Sequence, residues 1–430
     1  TGDTAASGTA SPTTDTWLEA KTDGTVATNP SSGVGLAEPS VLPSRIRIGK
    51  VITTGSTITG FVPTHRTRVH GLGADIGFSD DPAIFPHYRK ALASILAGTG
   101  YAKLLCVGDQ TTRGAGGTAR NVDSYPARLM KLLNAGPYKC VEGISLAGVV
   151  AATDSRWVRG TGWVTTGGLS PAGLGGGSNT YFFAPTSASG DLTFAPGYNI
   201  DTIKVHYVQQ PSAGTFTVNV DGGSALATIN AAGTAAYMIA TISCSSGTHT
   251  IHIPPPTVAG VQILGIEAYD SSVPAIHLTN AGVDSAGTTS WNNSAQPYSC
   301  FGAIDAIQPD LSIVMLTTVD FVTASPLKQT QWYNQIQTIT AKLRQYGDVI
   351  LASGVPGNAS TFSNLNIVQA QNDAMIKRIA QMYQCGVVSM QDRLRSWYVA
   401  NANGFMADDS NLSVAGHCDV ANAMWQMVKP

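Results

Sequence analysis

The sequence predicts an α/β protein: a three-layer α/β/α domain interrupted by an antiparallel β-sandwich and preceded by a β-rich N-terminal stem. Three observations predict this. Apolar runs of strand length alternate with helix-spaced segments from about residue 85 to 153, and again from 271 to 430. Residues 154–270 carry short alternating segments closed by Gly-rich turns, the pattern of a sandwich inserted into the first domain. Residues 1–84 hold Thr/Ser/Gly-rich stretches and isolated strand patterns, too thin to bury a core of their own.

Composition narrows the function classes. The 430 residues allow two or three domains, and a hydrophobic fraction of 43% supplies sizeable cores. Only 12% of residues are charged and 46 are Gly, which fits turn-rich β structure. A net charge of −2 leaves no basic footprint for nucleic acid. No apolar run is long enough to cross a bilayer, so membrane insertion is not expected. The six cysteines are scattered without metal-ligand spacing and read mostly as small buried hydrophobes, with a disulfide between distant pairs left open. Neither a metal nor a cofactor is expected. The first residues show no basic or apolar region of a secretory signal and begin without Met, as a processed or incompletely recorded terminus would.

In chain order, Trp17 to Val26 reads as a hairpin turning at Asp23-Gly24. Pro39 and Pro43 lead into the alternating strand Ile46–Ile52, with Thr57–Thr59 as its partner. Tyr88–Leu96 and Tyr125–Asn134 have helical spacing, the second with Pro126 near its first position. Tyr138–Ser145 reads as the next strand. Within the insertion, strands are expected at Ile203–Val208, Thr215–Val220, Thr248–Ile253 and Val261–Ile266, with Gly173–Gly177 as a turn. Beyond it come strands at Ile276–Leu278, Leu311–Leu316, Val349–Ala352 and Val387–Val388. Helices are expected around Trp332–Leu343, Ile367–Tyr383 and Val414–Met427.

The chain is organised around Leu104 to Gly114, where an apolar strand stops at Gly108-Asp109 and a Gly-containing loop precedes the next helix. In a parallel sheet this is the crevice where reactive groups are presented. The stretch resembles the first sequence block of the SGNH (GDSL-type) hydrolases, which implies a flavodoxin-like α/β/α domain and an esterase-type crevice. In that family a serine nucleophile follows the Gly-Asp pair; here Gln110 stands at its position. A carboxamide cannot be activated as a nucleophile by loss of a proton.

The other blocks follow the same pattern. Asn280 to Ala286 resembles the second block, with Ser285 at the glycine whose backbone N–H helps form the oxyanion hole. A backbone donor survives that change if the φ/ψ of Ser285 permits it. Pro309 to Asp320 resembles the third block, with Val319 where an asparagine donor is expected. Losing one such donor costs about 3–4 kcal/mol of transition-state stabilisation. Asp408 to His417 fits the fourth block without gaps: Asp408 at the orienting carboxylate, Asn411 at the general base and His417 at a second, non-catalytic histidine. Asparagine takes no proton near neutral pH. The resemblance thus implies a scaffold released from hydrolysis.

Two further resemblances bear on context. The N-terminal hairpin, Pro-containing spacer, Ile46–Ile52 strand and following Arg66 and Arg68 resemble attachment and stem segments of bacteriophage tail-fibre and tailspike proteins. The same features also fit a generic β-rich extension. Tyr207, Gly214-Thr215-Phe216 and Asp221-Gly222-Gly223 resemble the sandwich inserted in some phage-borne and bacterial carbohydrate esterases. Together they imply a virion appendage, homotrimeric through its stem, that contacts other tail proteins and binds bacterial surface polysaccharide or lipopolysaccharide. Asp109, Gln110, Asn280, Asp320 and Asn411 are its expected binding residues, because carboxamides and carboxylates suit sugar hydroxyls. The alternatives are an active carbohydrate O-acetyl esterase using a displaced residue such as His417, and a purely structural virion decoration. Weaker candidates are a glycosidase-type pair among Asp320, Asp408 and Asp409, a metal site at His249 and His252, and sugar stacking on Trp157, Trp163 and Tyr181. The aromatics are commoner as core.

Overall fold

The computed structural model describes residues 16–21, 26–30, 45–54, 57–63, 85–146, 154–166, 182–186, 189–256, 260–316, 318–322, 329–362 and 365–429. The chain divides into two units, Thr1–Ile76 and Gly77–Pro430. The first holds a four-stranded antiparallel sheet in the order Val26–Pro30, Thr16–Lys21, Arg45–Thr54, Thr57–Pro63. Both expected hairpins are there, and a bulge between Leu18 and Glu19 bends the pairing with the third strand. The expected turn at Asp23-Gly24, the spacer at Pro39 and Pro43, and Arg66 and Arg68 lie outside the described residues, as do Gly173–Gly177 and Tyr181.

The second unit is built on a six-stranded sheet in the order Gly386–Val388, Asp348–Ala352, Leu311–Met315, Ala102–Gly108, Ile276–Asn280, Cys140–Glu142. Every neighbouring pair is parallel. Strands buried on both faces read as continuous apolar runs, which is why Leu104 to Val107 is legible. Leu104 and Cys106 face one core, against the helices Pro86–Leu96, Tyr125–Asn134 and Val414–Val428. Leu105 and Val107 face the other, against Cys300–Ile307, Gln329–Leu343 and Leu365–Tyr383. The period of two along one strand therefore separates the two helical layers.

The sandwich has two antiparallel sheets. One runs Ala236–Thr248, Asn199–Gln209, Gln262–Tyr269, Phe182–Pro185, Trp163–Thr166; the other runs Ala227–Asn230, Thr215–Val220, Ile251–Ile253, Leu192–Phe194, Trp157–Arg159. Ile203, Val205, Phe216, Val218, Ile251 and Ile263 fill the space between them. Trp157 and Trp163 are each 2% exposed and belong to that core, so neither is presented for stacking on a sugar.

Two expected strands are broken. Tyr138–Ser145 is interrupted at Gly143, whose N–H donates to Leu278 O at 2.8 Å and where a Cβ would meet Thr279 Oγ1 at 2.5 Å. Cys140–Glu142 stays in the parallel sheet, while Ile144–Leu146 pairs antiparallel with Gln262–Tyr269. Thr248–Ile253 is likewise divided: one sheet ends at Thr248 and the other resumes at Ile251. In both places a strand-forming sequence changes sheet, a tertiary event that alternation cannot reveal.

Candidate crevice at the sheet's carboxyl edge

Ala102–Gly108 lies between Leu311–Met315 and Ile276–Asn280, with Gly108 opposite Met315 and Cys106 opposite Asn280. Their carboxyl ends therefore release three loops side by side, and these loops carry the first three sequence blocks.

The first loop is fixed by its glycines and its cap. A Cβ at Gly108 would meet Thr112 Oγ1 at 1.8 Å, so the strand can end only on glycine. Asp109 then caps the short helix Gln110–Arg113, its Oδ1 accepting from Thr111 N at 2.9 Å, and Gly114 closes the helix at φ +107°. Gln110 opens this helix. Its Oε1 is buried with no hydrogen-bond partner among the described residues.

The second loop packs against the first. A Cβ at Gly282 would meet Arg113 N at 2.2 Å, and Arg113 Nε pairs with Asp284 at 2.6 Å. Ser285 adopts φ +61°, the left-handed conformation that the expected glycine would take without strain. Asn280 is committed to the scaffold: its Nδ2 donates to Ser124 Oγ at 3.2 Å and its Oδ1 accepts from Gly282 N at 3.0 Å.

The third loop brings Val319, half-buried, and Asp320, buried, on the helix Thr318–Val322. Both Asp320 oxygens accept from Thr288 N at 3.0 Å, and Oδ1 also accepts from Thr288 Oγ1 at 3.1 Å. Burial, helped by the neighbouring Asp109 charge, pushes the Asp320 carboxyl up to about 6 despite those bonds. Gly287 lies so close that a Cβ there would meet Asp320 Oδ1 at 2.3 Å.

The fourth block closes over the first. Gly116, at φ +86°, abuts the backbone of Leu412, where a Cβ would meet Leu412 O at 2.0 Å. Asp408 Oδ1 accepts from Ser410 N and Asn411 N, each at 2.8 Å, and its Oδ2 accepts from Asn411 Nδ2 at 2.8 Å. Burial pulls its carboxyl upward, but the Asn411 and Ser410 hydrogen bonds outweigh this and hold it below the usual range. The contact through which a carboxylate would orient an imidazole here orients an amide. Asn411 Oδ1 is buried with no partner among the described residues.

His417 packs against the first loop. It is fully buried, its Nε2 lies 3.0 Å from Ala115 O, and burial lowers its basicity. Asp409 is held by Asn358 Nδ2 at 2.7 Å and Thr361 Oγ1 at 2.6 Å, so Asp320, Asp408 and Asp409 serve three separate hydrogen-bond nets. His249 binds Asp221 at 2.6 Å and His252 binds Asp191 at 3.0 Å, and no group of three or more metal-ligating side chains occurs among the described residues. All six cysteines are free thiols.

Thr288, Asn358 and Ser124, which hold three of the named side chains, escaped sequence reasoning. Each is a common polar residue in a loop or at a helix start, and only the fold brings it to its partner.

No family model matches the chain, and no curated protein matches it. Solved structures do. A peptidoglycan O-acetylesterase superposes with a TM-score of 0.61 at 16% identity, over 82% of this chain and 99% of that one. An acetylxylan esterase from Geobacillus stearothermophilus gives a TM-score of 0.31 at 17% identity, over 36% of this chain and 74% of its own. A Bacillus subtilis protein, YXIM, gives 0.31 at 13% identity, over 62% and 88%. With the parallel sheet, its two helical layers and the sandwich already described, the first of these likenesses identifies the chain's architecture as the SGNH-type esterase fold.

Proposed function

We propose that this chain binds carbohydrate, in particular O-acetylated glycan of a bacterial surface, through an esterase-type crevice that does not turn over. The observation that carries the reading is the Asp408 Oδ2 to Asn411 Nδ2 hydrogen bond of 2.8 Å. It keeps the geometry of an orienting carboxylate while its partner is an amide that accepts no proton at neutral pH. Gln110 at the nucleophile position and Val319 at the donor position agree with it. Two unpartnered buried carboxamide oxygens, on Gln110 and Asn411, are acceptors that sugar hydroxyls would satisfy.

The same reading assigns the chain to a bacteriophage tail fibre or spike, as a homotrimer contacting other tail proteins and bacterial polysaccharide or lipopolysaccharide. Its support is the order of N-terminal sequence features alone. A second reading, an active carbohydrate O-acetylesterase, is favoured by the likeness to the peptidoglycan O-acetylesterase.

The two separate in one experiment: the full chain is incubated with 4-nitrophenyl acetate and with an O-acetylated capsular polysaccharide. The expected result is acetate release no faster than in protein-free buffer, with the chain co-sedimenting with the polysaccharide. Turnover that disappears in Asp408→Ala or His417→Ala would establish the second reading and end the first.

A further inference from the structure

The chain has nine methionines, and a single one is presented to solvent. Met382 is 56% exposed, whereas the others are buried or half-buried. It lies in the last turn of Leu365–Tyr383, the helix that packs beside Gln329–Leu343. Two side chains of that neighbouring helix donate to its sulfur, Tyr333 Oη at 3.6 Å and Gln337 Nε2 at 3.7 Å. The two donors are four residues apart in sequence, so they stand one turn apart on the same helical face. A thioether is a weak acceptor, and both donors are poorly satisfied by it.

Oxidation changes that balance. With hydrogen peroxide, the sulfur lone pair attacks one peroxide oxygen, and the S–O bond forms as the O–O bond breaks. The departing hydroxide takes the proton of the transferred oxygen and leaves as water. Sulfur loses two electrons and the peroxide gains them. The product is a sulfoxide, which is polar and carries an acceptor oxygen. In a core such a product is disruptive, because it places a polar group in apolar packing. Met382 escapes that cost. Its side chain is already in solvent, and two donors already point at the atom that gains the oxygen. Three rotatable bonds let the side chain draw back until the new oxygen sits at hydrogen-bond distance from both.

We propose that Met382 is a site of oxidation by peroxides, at which the sulfoxide oxygen accepts from Tyr333 and Gln337 and tightens the contact between the two helices. The chain thus takes up oxidant at a place where its fold gains a polar contact instead of losing an apolar one.

The test treats the full chain with equimolar hydrogen peroxide, maps sulfoxide by peptide mass spectrometry and compares melting temperatures before and after. Met382 is expected to carry about five times more sulfoxide than any other methionine. The oxidised chain is expected to melt about 2 °C higher than the reduced one. A methionine sulfoxide reductase should reverse that rise. Met382→Leu should show no rise on the same treatment. Tyr333→Phe/Gln337→Leu keeps the ring and the stem but removes both donors, and at equal Met382 oxidation it too should show no rise. Sulfoxide that accumulates first at another methionine, an oxidised parent that melts no higher than the reduced chain, or an equal rise in the donor-free variant overturns the proposal. The first two outcomes are read on the parent alone, so they hold even where a variant fails to fold.

Discussion

Two regions of this molecule each hold part of what a hydrolytic triad requires. The crevice has the setting: a strand ending on Gly108, an Asp109-capped helix, Ser285 in the left-handed region and a carboxylate at Asp408 aimed along its own loop. Among the described residues it holds no hydroxyl–imidazole pair. The sandwich has such a pair, since Ser245 Oγ lies 3.4 Å from His249 Nε2, and His249 Nδ1 lies 2.6 Å from Asp221. There the setting is missing. Ser245 O, at 2.9 Å, is nearer to Nε2 than the hydroxyl is, so the ring nitrogen donates to a carbonyl instead of receiving the serine proton. The lesson is that neither frame nor residue types suffice alone, because a triad is defined by which atom each group faces.

The largest effect expected from this comparison is a gain. Restoring the chemistry to the setting, in Gln110→Ser/Val319→Asn/Asn411→His, should raise kcat/KM for 4-nitrophenyl acetate by on the order of 10³-fold over the parent chain, about 4 kcal/mol of transition-state stabilisation. Each single change should give almost nothing, because such residues act as a unit. A triple variant as inert as the parent, with its fold retained, would mean that the loops do not hold the expected geometry.

That variant can be designed because much of the crevice is legible in the sequence. Asp408 and Asn411 are three positions apart in one loop, so their contact is local. Gly108, Gly114 and Gly282 mark turns that a side chain would block. What is not legible comes from distant chain. Asp320 is held by Thr288, thirty-two residues upstream, and nothing in either segment announces the pairing. Arg120 looks like a surface residue of a four-residue helix until its guanidinium meets Asn280 O. The strands Leu311–Met315 and Asp348–Ala352 could be read directly because both their faces are covered. Gly143 and the turn after Thr248 could not, because which sheet a strand joins depends on partners elsewhere.

A smaller effect separates the regions by pH. Two buried carboxylates differ in company. Burial would raise Glu267, but His277 at 2.6 Å and Lys204 at 3.3 Å hold it down to about 2. Asp320 has no cation beside it among the described residues and sits at about 6. Between about pH 4 and 6 the folded chain therefore binds more protons at Asp320 than the unfolded chain, and stability from this group falls as pH rises through that window. Asp320→Asn removes the dependence while keeping an acceptor for Thr288. Relative to the parent it should be more stable at pH 8 by at most about 3 kcal/mol and nearly equal at pH 4. Urea unfolding at the two pH values reads the difference, and a variant less stable at pH 8 than at pH 4, relative to the parent, would show that the carboxylate is compensated by a group not facing it here.

The smallest expected effect is on the sandwich, and it carries the other half of the comparison. His249 is paired with an exposed Asp221, and the Asp221 hydrogen bond together with the Ser245 carbonyl raises its basicity. A ring nitrogen that donates its N–H to the Ser245 carbonyl takes no proton from the Ser245 hydroxyl. Ser245→Ala should thus leave ester turnover unchanged in the parent and in the triple variant. His249→Ala should cost under about 1 kcal/mol of stability, as exposed ion pairs do. Aryl acetate turnover in the parent chain that falls tenfold or more in Ser245→Ala would place hydrolysis in the sandwich, and the division between setting and residues would no longer describe this molecule.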